Sequence, residues 1–201
     1  ATPPSLTSND KLVFEETFED SSALENTLQA HPDQGHPKGE WKIKEGRLYA
    51  EKIHNGALWL KSITLSSDVR IEFDAWAHSD EGDLKCELFG DGLTHQSGYI
   101  LIAGGWKNKM HVIARQDEHG EDRKEDRRCG RERGQVCIKK DQLIHWTVER
   151  RGAVLTWYMN DRLVLRYIDK HPLRGKHFAF NNWAAPVSFD NLKVYALNQR
   201  E

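Results

Sequence analysis

Apolar and polar residues alternate with a period of two along most of this chain, and turn signals recur roughly every eight to fifteen residues. In segment 69–78, Ile71, Phe73, Ala75 and Ala77 share one face, while Arg70, Glu72, Asp74, Trp76 and His78 share the other. In segment 83–89, Leu84, Cys86 and Leu88 oppose Asp83, Lys85 and Glu87. The pattern predicts strands over 12–17, 41–43, 47–51, 57–60, 69–77, 84–89, 99–103, 111–116, 144–150, 154–159, 162–167, 177–181 and 187–197. Between them lie turn pairs such as Glu45-Gly46, Asn55-Gly56, Arg151-Gly152 and Asn160-Asp161. Only 21–30 reads as a helix, with Ser21 or Ser22 as its cap and Glu25 nearby. Residues 1–11 read as an N-terminal tail. Many antiparallel strands and almost no helix predict an all-β, two-sheet antiparallel jelly-roll sandwich, one domain over 1–201. In such a sandwich one sheet commonly curves, and its outer concave face becomes a groove.

Composition narrows the function classes. A chain of 201 residues buries a real core. Charged residues make up 30%, the net charge is −2 and the pI is near 6.6, so bulk electrostatics gives no reason to expect nucleic acid or an anionic membrane as partner. No apolar run approaches the ~20 residues of a membrane span. The opening ATPPSLTSND fits a mature secreted or periplasmic protein. Of three cysteines, Cys129 and Cys137 flank a short Gly- and Arg-rich stretch that a disulfide would close. Cys86, at an apolar position of LKCELF, reads as a buried thiol. Their spacing lacks the paired CxxC of structural zinc, and cysteine use supports an oxidising compartment.

The densest chemistry lies in 98–123, where a buried-looking strand, a Gly-Gly-Trp turn and a second strand lead to Arg115, Gln116, Asp117, Glu118 and His119. The following run, 118–133, carries equal numbers of acidic and basic residues. It reads as a solvated loop, or as a lid whose arginines face an acidic sugar. Trp76 and Trp106 are the expected sugar-stacking platforms, whereas Trp146 and Trp157 belong to core strands.

Taken together, FEETFED, WKIKEGRLYAE, DVRIEFDAW, GDLKCELFGDG and the terminal FDNLKVY resemble the concanavalin A-like lectin/glucanase superfamily, from Phe14 to Tyr195. Within it the chain looks most like small secreted bacterial keto-disaccharide hydrolase-like domains, and more distantly like family-sixteen glucanases. The superfamily holds hydrolases, lyases and lectins, so the resemblance implies the fold and leaves the chemistry open. It also implies a structural calcium at the seam of the first and last strands. The matching positions are Glu16 (with Glu19 or Asp20 as rivals), the carbonyl of Gly46, and Asp190. Family-sixteen glucanases carry E-x-D-x-E on one strand face; here that face reads Asp83, Lys85, Glu87, with Lys85 at the central position. Its carboxylates are about 13 Å apart at Cα, against the roughly 5–5.5 Å of retaining chemistry. An ordinary retaining glucanase is not expected.

The sequence therefore predicts an extracellular carbohydrate-active protein, as an enzyme of the polysaccharide lyase or glycoside hydrolase type on an oligo- or polysaccharide. Arg115 would neutralise a carboxylate, His119 (with His111 as rival) or Tyr99 would move the proton, and Glu87 or Lys85 would be the partner acid or base. Glu72, Asp74, Trp76, Trp106 and Asp117 would bind substrate. The alternative is a lectin-like module using the same face without turnover, and a third reading is an interaction protein.

Overall fold

In the computed structural model, which describes residues 1–198, 43% of residues lie in strands and 6% in helical turns. Fifteen strands, numbered in chain order, form two antiparallel sheets. The first sheet runs β13 (Arg162–Ile168), β12 (Val154–Met159), β11 (Ile144–Arg151), β6 (Val69–Ala77), β15 (Val187–Ala196), β4 (Arg47–Ala50) and β3 (Lys42–Lys44). Its remaining strand, β1 (Lys11–Glu16), pairs with the second half of β15. The second sheet runs β10 (Lys124–Asp126), β9 (Met110–Arg115), β8 (Tyr99–Gly104), β7 (Leu84–Gly90), β14 (His177–Asn181), β5 (Leu58–Leu60) and β2 (Thr27–Gln29). This is the jelly-roll sandwich that the period-two pattern predicts.

The apolar faces meet in one core. Ile71, Phe73 and Ala75 of β6, with Trp146 and Trp157, pack against Leu84, Cys86 and Leu88 of β7 and Phe178 and Phe180 of β14. Phe73 anchors it, with ring centroids 5.0 Å from both Trp146 and Phe180. Trp146 and Trp157 are fully buried, as expected. The chain also forms the Cys129–Cys137 disulfide and leaves Cys86 as a buried free thiol.

Several local expectations change. The helix expected over 21–30 is a single 3-10 turn, Ser21–Leu24, capped by the Asp20 carboxylate accepting from the Ser22 N–H. Asn26 then takes a left-handed conformation, and Thr27–Gln29 joins β5 as an edge strand, because pairing offers these amides partners that a short isolated helix lacks. The N-terminal tail is docked: the Ala1 carbonyl accepts from the Leu163 N–H, and the Pro4 carbonyl accepts from Arg70. The charge run contains strand β10, held by side-chain pairs of Glu125 with Arg123 and Arg127 and of Asp126 with Arg128.

The second sheet is covered on both faces. Every residue of β7 and of β8 is buried, so something other than solvent lies on their outer sides. That covering layer holds the candidate site.

Candidate functional site

The outward side chains of β7 are Lys85 and Glu87, 2% and 0% exposed. Charged groups are almost never so buried unless paired, and each here is fully engaged. The Lys85 ammonium lies 2.6 Å from a Glu118 carboxylate oxygen and donates to Asn55 Oδ1 at 2.7 Å. Glu87 accepts from the Gln96 N–H at 2.7 Å and from Asn181 Nδ2 at 3.0 Å, and its Oε2 lies 3.0 Å from His95 Nδ1. His95 Nε2 is also 3.4 Å from Glu118, closing the network.

Above this layer opens a cavity of about 310 Å³, lined by Asp83, Lys85, Glu118, His119, Trp106 and Trp183 together with Ile102, Gly105 and Lys107. Its size is at the lower end for small-molecule sites. Trp183 is 44% exposed, an unusual state for so large an apolar ring, and it borders the cavity. Trp106 has the His119 ring edge-on at 5.8 Å and the Arg123 guanidinium 4.6 Å from its centroid.

The Gly-Gly-Trp turn that presents Trp106 is left-handed rather than helical. Gly104, Trp106, Lys107 and Asn108 all have positive φ, with Trp106 at φ 49°, ψ 64°. Such geometry costs a non-glycine residue about 1–2 kcal/mol. Strain of this kind persists where the surroundings over-determine it, and it concentrates at functional sites.

Electrostatics divides the carboxyl groups lining the cavity. Burial pushes Asp83 above the usual carboxylate range, more than the nearby Lys85 charge pulls it down. Burial would raise Glu118 as well, but Lys85 and then His95 hold it below its ordinary value. Burial alone would lower the Lys85 ammonium, and the Glu118 and Asp83 charges more than offset that. The cavity thus holds one carboxyl raised by burial and one lowered by a buried cation.

The expected groove residues do not all meet here. Glu72, Asp74 and Trp76 lie on β6, in the other sheet, and point away from the opposite face of the sandwich. There Asp74 pairs with His145 and Asn191, Glu72 sits by Arg70, and the Arg47 guanidinium covers the Trp76 ring at 3.6 Å. Alternation put five residues on outward faces correctly, but 69–77 and 84–90 join different sheets, so their outward faces are opposite sides of the molecule. Tyr99 and Arg115 point inward from β8 and β9. The Tyr99 hydroxyl and Arg115 Nε both donate to Asp169 Oδ2 at 2.7 Å, a cluster at the sandwich end. The strand stops at Arg115 because Gln116 adopts φ 59°, so Asp117 and His119 lie in the turn beyond it. His119 reaches the cavity, while Asp117 accepts from the His119 N–H and shapes the turn. His111 faces inward and burial lowers its pKa to about 4, so it does not serve the cavity. Glu87 supports the floor from beneath, and Lys85, Trp106 and His119 line the cavity as expected. Sequence reasoning missed Asn55, His95, Asn181 and Trp183. The available signals were the amide-rich Asn181-Asn182-Trp183 and the Asn55-Gly56 turn, read only as local structure.

At the implied calcium seam, a Glu16 carboxylate oxygen accepts from the Phe18 N–H. A Glu19 carboxylate oxygen lies 3.8 Å from where a Cβ on Gly46 would stand. Burial, with Asp74 and Glu19 adding to it against Arg47, raises the Asp190 carboxyl.

The two stacked antiparallel sheets define a jelly-roll sandwich. Among solved structures, the carbohydrate-binding module CBM66 from Bacillus subtilis is similar over 84% of this chain and 99% of its own, with TM-score 0.59 and 16% identity. The family GH16 endo-β-1,3(4)-glucanase SCLam is similar over 98% of this chain and 94% of its own, with TM-score 0.62 and 12% identity. A Bacillus subtilis protein with a galectin-like fold is similar over 94% and 97%, with TM-score 0.61 and 10% identity. At such identities the likeness is one of fold. No protein-family model and no curated protein matches the chain in sequence.

Proposed function

We propose that this protein binds a terminal sugar of an extracellular glycan in the cavity above β7. The observation that carries the reading is that Trp106 and Trp183 line the same cavity as Asp83, Lys85 and Glu118. Indole faces take the C–H faces of a sugar ring, while carboxylates and an ammonium take its hydroxyls, and a concave site with a few fixed polar groups supplies both. A cavity this small favours one end of a chain over a long polymer groove. The Cys129–Cys137 disulfide supports an oxidising compartment, hence a secreted or periplasmic protein. No described helix is long and apolar enough to cross a membrane. A structural calcium held by Glu19, Gly46 and Asp190 belongs to the same reading.

One observation favours a second reading, glycoside hydrolysis. Asp83 is pushed up and Glu118 down within one cavity, the split that a general acid and a general base require. Asp83 would protonate the leaving oxygen, and Glu118 would take a proton from water. Elimination chemistry has less support, because Tyr99 and Arg115 face Asp169 instead of the cavity.

A glycan array separates these readings. Binding that disappears in Trp106→Ala and Trp183→Ala supports the site; binding unaffected by both overturns it. Release of reducing sugar by the wild type, abolished in Asp83→Asn and Glu118→Gln, favours the hydrolase.

A further inference from the structure

We propose that Asn108 is the positioning residue of this cavity and that the Cys129–Cys137 disulfide braces it, so that reduction of the bridge releases Trp106 from its binding pose. The inference rests on the sugar-site reading for its meaning, though not for its test.

Three consecutive non-glycine residues, Trp106, Lys107 and Asn108, hold left-handed backbone angles. A run of that kind needs external restraint. Asn108 supplies it: fully buried, it donates from Nδ2 to the Ile138 carbonyl at 2.7 Å and to the Asp80 carbonyl at 2.9 Å. Its Oδ1 accepts from the Ile138 N–H at 2.8 Å, and its own carbonyl accepts from the Cys137 N–H at 3.0 Å. Glycine at 82 and 104 leaves room for this amide, since a Cβ at Gly82 would stand 2.7 Å from Asn108 Cγ and one at Gly104 would collide with Oδ1.

Most of those partners belong to one segment. Cys137, eight residues from Cys129, closes the disulfide loop, and Ile138 follows it directly. The same loop sends the Gln135 carbonyl to Lys109 Nζ and lays Gly130 on the Lys109 backbone, where a Cβ would stand 2.6 Å from the Lys109 Cα. From 127 to 143 the described chain contains one three-residue 3-10 turn and no strand; the bridge fastens Cys137 to the stretch that follows the β10–β9 pairing, and further on the Asp141 N–H donates to the Ala77 carbonyl. Cutting it removes the covalent restraint on Cys137 and, through Ile138, on Asn108, and the strained turn is then held by hydrogen bonds alone.

The bridge is chemically addressable. Both cysteines are half-buried rather than sealed in the core. His111 Nδ1 accepts from the Gly104 N–H at 3.2 Å, which leaves the Nε2–H directed at Cys129 Sγ, 3.4 Å away. Attack of a dithiol on Cys137 Sγ then expels Cys129 as a thiolate stabilised by that N–H. The dithiol's second thiol resolves the mixed disulfide. The reductant gives up two electrons and two protons and becomes a disulfide, and the protein gains two thiols.

The test labels the protein's seven tryptophans with 5-fluorotryptophan and reads 19F spectra, with the Trp106 resonance assigned by Trp106→Phe. Dithiothreitol, or paired Cys129→Ser and Cys137→Ser substitutions, is expected to move or broaden the Trp106 resonance while those of Trp59, Trp146 and Trp157 stay in place. Asn108→Ala in the oxidised protein should reproduce that change. Asn108→Asp, which keeps the acceptor for the Ile138 N–H, should give a smaller one. An unchanged Trp106 resonance on reduction overturns the proposal. Loss of dispersion at all seven positions also overturns it, because the bridge would then hold the whole fold rather than this turn. No sugar enters the measurement, so a negative glycan array leaves its outcome independent.

Discussion

The ammonium of Lys85 sits 2.6 Å from a carboxylate oxygen of Glu118, joining a central strand of the second sheet to the turn beyond β9. Both partners are almost wholly buried. This pair carries the covering layer: it holds the 116–123 turn onto the sheet, and with it His119 and Arg123 beside Trp106.

Lys85→Met is expected to destabilise the fold by about 3–5 kcal/mol, since it leaves Glu118 and Asp83 buried without their cation. The double variant Lys85→Met, Glu118→Gln should recover part of that loss, which urea unfolding in a double-mutant cycle measures. Glu118 is held below its ordinary 4.5, so its contribution is present above that value and fades as pH falls through the lowered folded value. Lys85 is raised above 10.5, so its contribution is complete below that value and fades only as pH rises past the folded value.

Asp83→Asn should raise the melting temperature at neutral pH by about 2–4 °C. The folded Asp83 carboxyl is raised above 3.8, so its ionised form costs stability once pH exceeds 3.8. The gain should therefore vanish in melts run below that pH. A gain that persists there would point to the left-handed backbone at this position, φ 61°, which Asn tolerates better.

Trp183→Ala should leave stability within about 0.5 kcal/mol of wild type, as removal of a half-exposed side chain does. The same change should weaken sugar binding by about 2 kcal/mol or more, some thirtyfold, as loss of a central aromatic contact does. Calorimetric titration with an array-identified sugar reads this directly.

Arg115→Ala should cost about 1.5–3 kcal/mol of stability, the value of hydrogen bonds to a charged partner, and leave sugar affinity unchanged. Its side chain serves Asp169 and the His171 carbonyl. Loss of binding in a variant of normal stability would return Arg115 to the site.

Millimolar calcium should raise the melting temperature relative to EDTA, and Glu19→Gln should abolish the difference while Glu16→Gln keeps it. Equal melting temperatures in both buffers would remove the metal from the proposed reading.

Much was legible in the chain because it is local. Alternation assigned the inward Phe73 and Cys86 and the outward Asp74 and Lys85 correctly, since the pleat turns successive side chains to opposite faces whatever the strand pairs with. The close spacing of Cys129 and Cys137 marked their bridge, and the Gly-Gly-Trp turn marked Trp106. Which outward faces coincide in space is not local. The short connection 78–83 carries the chain from one sheet to the other, so Trp76 and Lys85, close in sequence, end on opposite sides of the sandwich. Register and sheet membership come from long-range pairing, β6 with β11 and β15, and β7 with β8 and β14. Asn55, Glu118 and Asn181 meet around Lys85 only after those pairings exist. Local pattern thus determined the fold class and the facing of each strand, and the tertiary structure alone decided which charged residues share a buried layer. The reason is that a charge survives there only where distant segments deliver its partners.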